Sequence, residues 1–253
     1  MTARPAMRDD RPWPQFELAP GVMAMFTSRS GGVSAPPYDT LNLSGAVGDL
    51  PEAVARNRDI LAAACGGAHP VTWMRQVHGS AVSHASAALP GPVAEEADAL
   101  FTEFPGLPLG VLVADCAPVL IADGQARVVG AAHAGREGMA AGVVPALLSA
   151  MAAAGAAPSR MHAAIGPMIC GACYEVPEQL RDRVDDAVPG AGCVTRSGTP
   201  GIDVRAGVEA QLAKAGVASV TGDLRCTAEH PELYSYRRDG KTGRFAGVLW
   251  LAS

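Results

Sequence analysis

At 253 residues, 49% hydrophobic and 18% charged, the chain is long and apolar enough to bury a core without staples, which excludes a disordered polypeptide. A net charge of −5, with 20 basic residues scattered among 25 acidic ones, offers no basic stripe, so neither nucleic acid nor an anionic membrane is expected as a partner. No run approaches the roughly 20 apolar residues of a membrane span, and the first residues lack the apolar stretch of a signal peptide, so the expected setting is the cytoplasm.

In chain order, residues 1–15 read as a loose lead-in rich in Arg, Asp and Pro, and residues 16–253 as a single catalytic domain. Val22–Phe26 reads as a strand, followed by the glycine loop Thr27–Ser34 and the polar, irregular stretch Tyr38–Ser44. Pro51–Ala64 fits a helix, with Pro at its first position and Val54, Ile60 and Leu61 for a core face. Val71–Val77 alternates as a strand ending at His78, and Ala81–Leu89 is expected to be its hairpin partner. Two Val-rich runs, 109–114 and 127–132, read as strands buried on both faces.

Between Glu137 and Ala154, Val143, Val144, Leu147, Leu148 and Met151 recur at helical spacing, with Pro145 expected to kink the helix. Met161–Ile165 and Val217–Thr221 read as strands, and Glu178–Val188 and Val204–Ala215 as helices, the second capped by Asp203 and stopped by Gly216. Tyr234–Arg244 is expected to be a turn between two strands, the last being Phe245–Leu251.

The chemistry gathers at strand ends. His78 ends one predicted strand, Asp115-Cys116 another, and His133 a third, beside the glycine turn Ala134-Gly135 that opens a helix. The separations, 38 residues from His78 to Cys116 and 17 from there to His133, are too wide for the close ligand pairs of a structural zinc site. They suit a finished fold that brings three strand ends together, and two His with one Cys leave a fourth position open, the pattern of catalytic zinc. Two buried histidines and a core cysteine are the plainer reading of the same spacing.

The six cysteines (Cys65, Cys116, Cys170, Cys173, Cys193, Cys226) do not form a disulfide framework in a chain of this length. Cys170-Gly-Ala-Cys173 is a C-x-x-C; Cys193 and Cys226 supply no second close pair for a zinc cage, and no thioredoxin-like βαβ setting supports a redox pair, so a packing or ligand-supporting role is favoured. Arg29, Arg75, Arg237 and Arg136, the last at a helix start, are candidates for an anion such as phosphate.

Together these strings resemble one family. Thr-Ser-Arg-Ser-Gly-Gly-Val-Ser, Leu-Asn-Leu, Arg-Gln-Val-His-Gly, Ala-Asp-Ala-Leu, Ala-Asp-Cys-Ala-Pro-Val-Leu, Ala-Ala-His-Ala-Gly, Cys-Tyr-Glu-Val and Ser-Tyr-Arg-Arg-Asp-Gly-Lys-Thr-Gly-Arg are similar, in order, to motifs of the laccase-domain or polyphenol oxidase proteins, also called peptidoglycan editing factors and purine nucleoside phosphorylases. The resemblance implies an α+β (mixed α/β) single domain, its mixed sheets packed helix–sheet–sheet–helix. It also implies one zinc ion on His78, Cys116 and His133, with copper possible by substitution.

The implied activity is phosphorolysis of adenosine, inosine, guanosine and methylthioadenosine, with adenosine deamination. Purine nucleosides and phosphate are thus the expected partners, with Asn42, Arg29, Arg75, Arg136 and Arg237 as substrate contacts. Two other readings compete: a copper oxidase of phenols, and a non-catalytic zinc protein tied to peptidoglycan editing. The chain departs from the family where many members read Ala-His-Ala-Gly-Trp-Arg-Gly, because Arg136-Glu137 stands in place of Trp-Arg. It departs again where adjacent cysteines are split as Cys170 and Cys173.

Overall fold

The computed structural model describes residues 13–66, 69–86 and 92–252. The strands form two six-stranded mixed sheets that lie face to face. The first runs in the order β1 (Gln15–Ala19), β2 (Val22–Phe26), β14 (Phe245–Leu251), β7 (Leu109–Val113), β3 (Thr72–Arg75), β5 (Pro92–Glu96). The second runs β13 (Ser219–Gly222), β10 (His162–Ile165), β8 (Ala117–Asp123), β9 (Val128–Ala134), β6 (Ala99–Thr102), β4 (Val82–His84). A small ribbon pairs β11 (Gly192–Val194) with β12 (Pro200–Ile202).

Strand alternation builds three apolar layers. Along β14, Phe245, Leu249 and Leu251 enter the core between the sheets, while Ala246, Val248 and Trp250 face outward with Leu61 of helix α1 (Pro51–Ala64). Along β8, Leu120 and Ala122 join the central core, and Val119 and Ile121 face α3 (Val143–Ala153) and α5 (Val204–Lys214). Both sheets are covered on their outer faces, giving helix–sheet–sheet–helix layers.

Several expectations are corrected. Ala117–Asp123, unassigned in the sequence, is a fully buried strand and a centre of the second sheet. Of the proposed hairpin partner of β3, residues 87–89 lie outside the described residues; the remainder forms β4, which pairs in parallel with β6 in the other sheet, and β3 instead pairs in parallel with β5 and β7. The helix expected over 137–154 is two helices, α2 (Arg136–Ala140) and α3, separated at Gly142, whose φ of +83° is a left-handed conformation that glycine adopts without strain. Pro145 therefore sits in the first turn of α3, where its missing N–H leaves no bond unmade, and it does not act as a mid-helix kink.

The stretch after Tyr234 holds the short helix α6 (Tyr236–Asp239), capped by Ser235, rather than a bare turn. Of the expected lead-in, residues 1–12 lie outside the described residues, while Trp13 is buried and Gln15 opens β1. α4 (Glu178–Ala187) and α5 stand close to their predicted limits, and the Asp203 carboxylate accepts the Ala206 N–H as the α5 cap.

Candidate metal centre and active-site cleft

The chain leaves β3 through His78, crosses from β7 to β8 through Asp115 and Cys116, and ends β9 just after His133. These three departures meet at one end of the two sheets. His78 Nε2 lies 3.9 Å from Cys116 Sγ, and the His78 and His133 rings stand 4.7 Å apart at 74°. The three ligand atoms all lie within 4.8 Å of one another. A β-carbon at Gly135 would come within 3.0 Å of both Cys116 Sγ and His78 Cδ2, so the turn after His133 must be glycine for the trio to close.

One buried carboxylate sets this geometry. Asp98, in the turn before β6, is 0% exposed; its Oδ1 accepts the His78 N–H (2.9 Å) and the His133 Nδ1–H (2.8 Å). Its Oδ2 accepts the N–H groups of Val77 (3.1 Å) and Gly79 (2.7 Å). Three successive N–H groups thus wrap the carboxylate and hold His78 at a φ of +63°, left-handed for a side chain of that size. The bond to His133 Nδ1 leaves Nε2 as the free donor toward Cys116, the outer-shell arrangement that orients a metal-ligating imidazole.

Asp115, at a φ of +96°, is held in the same way by hydrogen bonds from the Thr227 and Ser235 hydroxyls (2.6 and 2.7 Å) and the Arg237 N–H (2.7 Å). Asp98 and Ser235 are residues that the sequence reading missed. Both lie in family-like strings, Ala97-Asp98-Ala99-Leu100 and Ser235-Tyr236-Arg237-Arg238, that assign them no role.

The trio is electrically primed. Burial opposes ionisation of Cys116, but the charge of His133 and hydrogen bonds from both histidines outweigh it and bring the thiol down to about 6. Burial likewise opposes charge on His133, and the Cys116 thiolate with the Asp98 carboxylate pushes that imidazole up to about 9. Between these values the metal-free pair is a thiolate and an imidazolium sharing one proton. A metal ion needs the thiolate and the neutral imidazole, so its binding there expels one proton from the pair, and two below the thiol's value. Affinity should therefore fall by about tenfold per pH unit between 9 and 6 and more steeply below, which calorimetry in buffers of differing ionisation enthalpy will read.

The trio opens into a cleft of about 1120 Å³ whose lining includes the guanidinium residues Arg58, Arg75, Arg136, Arg237 and Arg244. Apolar side chains, among them Trp73, Leu112, Ile169 and Val204, share the walls.

A profile of the family described as multi-copper polyphenol oxidoreductase laccase matches residues 23–252. The chain belongs to this family. It is 54% identical to a Streptomyces griseus protein named purine nucleoside phosphorylase, over 89% of this chain and 93% of that one. It is 52% identical to a Streptomyces coelicolor protein of the same name, over 94% and 98%. A crystal structure of a Neisseria meningitidis protein superposes with a TM-score of 0.86 at 37% identity, covering 96% of this chain and 100% of that one.

In this laccase-family chain, the sequence-derived residues fall into two groups. His78, Cys116 and His133 converge, and Arg75, Arg136 and Arg237 line the same cleft. Arg136 Nη1 donates to the Tyr174 hydroxyl (3.3 Å), and Arg237 stacks over the Tyr174 ring at 5.1 Å, so one phenol links two guanidinium groups. Arg75 is exposed at the rim, 3.4 Å from Glu96. Arg29 and Asn42 do not line the cleft. Arg29 donates to the Asp39 carbonyl and carboxylate and lies 5.0 Å over the Tyr234 ring. Asn42 is fully buried and ties Ser44, Asp49 and the Arg244 N–H together. Their place is in the loops that carry Arg244 and Ser44 to the cleft. Arg58, Arg244 and Tyr174 were not foreseen as cleft residues: Arg58 carries no spacing signal, and the family-like strings that hold Tyr174 and Arg244 assign them no role.

Proposed function

We propose that this chain is a zinc-dependent purine nucleoside phosphorylase acting on adenosine, inosine, guanosine and methylthioadenosine. The observation that carries the reading is an open three-donor site in the wall of a cleft lined by arginines. Its donor set fits the ion: one thiolate and two imidazoles with an outer carboxylate suit zinc, and fewer than four protein donors leave room for a reactant. The relatives named purine nucleoside phosphorylase support the reaction class, phosphorolysis of a purine nucleoside. His78, Cys116 and His133 would hold the ion, which when bound supplies positive charge at neutral pH.

In phosphorolysis a phosphate oxygen bonds to ribose C1′ as the bond from C1′ to the purine nitrogen breaks. The bonding pair leaves with the purine, which takes up a proton, and ribose 1-phosphate remains. Charge builds on the sugar in an oxocarbenium-like state, so a nearby, well-held anion is the main requirement. Arg136 and Arg237 answer it: both guanidinium groups are positioned by Tyr174, and Arg136 Nε is buried with no hydrogen-bond partner among the described residues. Burial, only partly offset by Arg136, pushes the Tyr174 phenol up, so it keeps its proton at neutral pH and can donate it in a hydrogen bond to sugar or base. Adenosine deamination is expected as a side activity of the same cleft.

The family's description as a multi-copper oxidoreductase favours a second reading, a copper oxidase, and a His₂Cys set does accept copper. Four-electron reduction of oxygen requires further histidine-rich copper sites. Among the described residues His69 packs on Phe104, His84 pairs with Glu103, His162 with Ser219 and His230 with Glu232. They are scattered and already partnered, so phosphorolysis is preferred.

The test is zinc-loaded protein with adenosine, with and without phosphate. Adenine and ribose 1-phosphate formed only with phosphate support the proposal; phenol oxidation with no nucleoside cleavage rejects it. In the same assay Arg136→Ala should raise the KM for phosphate by roughly 10- to 100-fold, the loss of one charge-assisted hydrogen-bond donor.

A further inference from the structure

Away from the trio, the described residues bring together a second set of metal-ligating groups. The sulfurs of Cys170, Cys173 and Cys226 and a carboxylate oxygen of Glu229 all lie within 4.8 Å of one another. In sequence they are two pairs with the same spacing, Cys170-Gly-Ala-Cys173 and Cys226-Thr-Ala-Glu229. In space each pair is a turn closed by the same bond. The Cys173 N–H donates to the Cys170 carbonyl (2.9 Å), and the Glu229 N–H to the Cys226 carbonyl (3.1 Å).

The two turns are fastened together by the parallel bridge of Met168 with Cys226 and by the Thr227 N–H donating to the Met168 carbonyl (3.0 Å). The Cys170 N–H points at Cys226 Sγ (3.3 Å), a contact of the kind that stabilises a thiolate in a metal site. Arg196 anchors the fourth group from outside, donating to Glu229 Oε1 at 2.6 Å while its own N–H donates to the Ala172 carbonyl (3.0 Å).

We propose that Cys170, Cys173, Cys226 and Glu229 bind a second zinc ion, a structural one. Two facing turns, each offering ligands three residues apart, are the arrangement of closed four-ligand zinc sites, whereas the trio in the cleft offers three ligands from distant strand ends. The sequence offers no second cysteine pair because the partner of Cys226 is a carboxylate, and Cys193 is turned away, its thiol donating to the Gly171 carbonyl (3.5 Å). Binding is a ligand exchange with no redox change: the ion takes up three thiolates and a carboxylate as the thiol protons leave to solvent.

Its consequence lies next door. Ile169 and Tyr174, which bracket the first turn, line the cleft, and Thr227, inside the second turn, donates to Asp115 Oδ1. The clip therefore joins the wall that carries Tyr174 to the segment leading to Arg237.

The experiment is cobalt and zinc binding to full-length Cys116→Ser, which disables the trio and leaves this cluster untouched. We expect one equivalent of Co²⁺ per chain, with the thiolate-to-cobalt charge-transfer band and visible bands of a tetrahedral site, displaced by Zn²⁺. Adding Cys226→Ser should abolish the band. Adding Glu229→Gln, the milder change, should keep it with a shifted envelope and weaken binding by at least about tenfold. The proposal is overturned if Cys116→Ser binds no metal, if the Co²⁺ it binds shows no thiolate band, or if protein purified under reducing conditions carries a disulfide among these three cysteines. Failure of the trio to bind metal would show up separately, as wild type holding only the metal that Cys226→Ser removes.

Discussion

Replacing Cys116 with serine should leave a folded protein whose phosphate-dependent cleavage of adenosine is at least about 10³-fold slower than wild type. The thiolate is the one anionic donor of the trio, and a serine hydroxyl does not ionise to replace it. Loss of the ion removes several kcal/mol of charge stabilisation at the reacting centre, and each 1.36 kcal/mol is a factor of about ten in rate. Cys116 is only half-buried at a strand end, so the exchange of sulfur for oxygen leaves the core between the sheets in place. Ribose 1-phosphate formation measures the loss, and thermal melts of variant and wild type that agree within a few degrees after the same chelator treatment separate chemistry from misfolding. Wild-type rates in the variant would remove Cys116 from the mechanism.

The second large effect is expected from Asp98→Asn. The carboxylate accepts four hydrogen bonds, three from backbone N–H groups and one from His133. An amide of the same shape can accept at only one oxygen and turns an N–H₂ toward other donors. Stability should fall by about 3 kcal/mol, as when one partner of a buried charged network is removed, and metal affinity by roughly 10- to 100-fold as His133 loses its orienting acceptor.

A pH signature follows. Burial acts to raise the Asp98 pKa, but the His133 bond and the N–H groups of Gly79 and Val77 outweigh it and hold the carboxyl below the usual carboxylate range. A depressed folded value means that the stabilisation is full above the unfolded pKa, near 4, and is lost as pH falls through the folded one. Wild type should lose stability over that acid window, whereas Asp98→Asn should lack this component; chemical denaturation across the acid range reads it. Superimposable curves for the two proteins would assign the four hydrogen bonds no role.

Much of the scaffold was legible because its signals are local. Pro51 at a helix start, the Asp203 cap and the unbroken apolar run Phe245–Leu251 each mark an element within a few residues, and those elements stand where the residues put them. β8 escaped because Ala117-Pro118 looks like a strand breaker. The pairing of β4 with the opposite sheet is a long-range choice that three residues, Val82–His84, cannot encode alone.

The site divides in the same way. The trio could be read because ligand residue types coincide with strand ends and glycine turns. Asp98 could not, since its partners are backbone N–H groups twenty residues away in sequence. Nor could the pairing of Cys226 with Glu229, which only the bridge to Met168 brings beside Cys170.

The most direct test of the account is a metal-edge anomalous diffraction map from crystals of the zinc-loaded protein. Apart from any peak at the Cys170–Cys173–Cys226–Glu229 cluster, it should show a peak bonded to His78 Nε2, Cys116 Sγ and His133 Nε2, with its fourth position facing the arginine-lined cleft. A map with no peak among those three atoms, or with a fourth protein side chain closing the coordination, would contradict it.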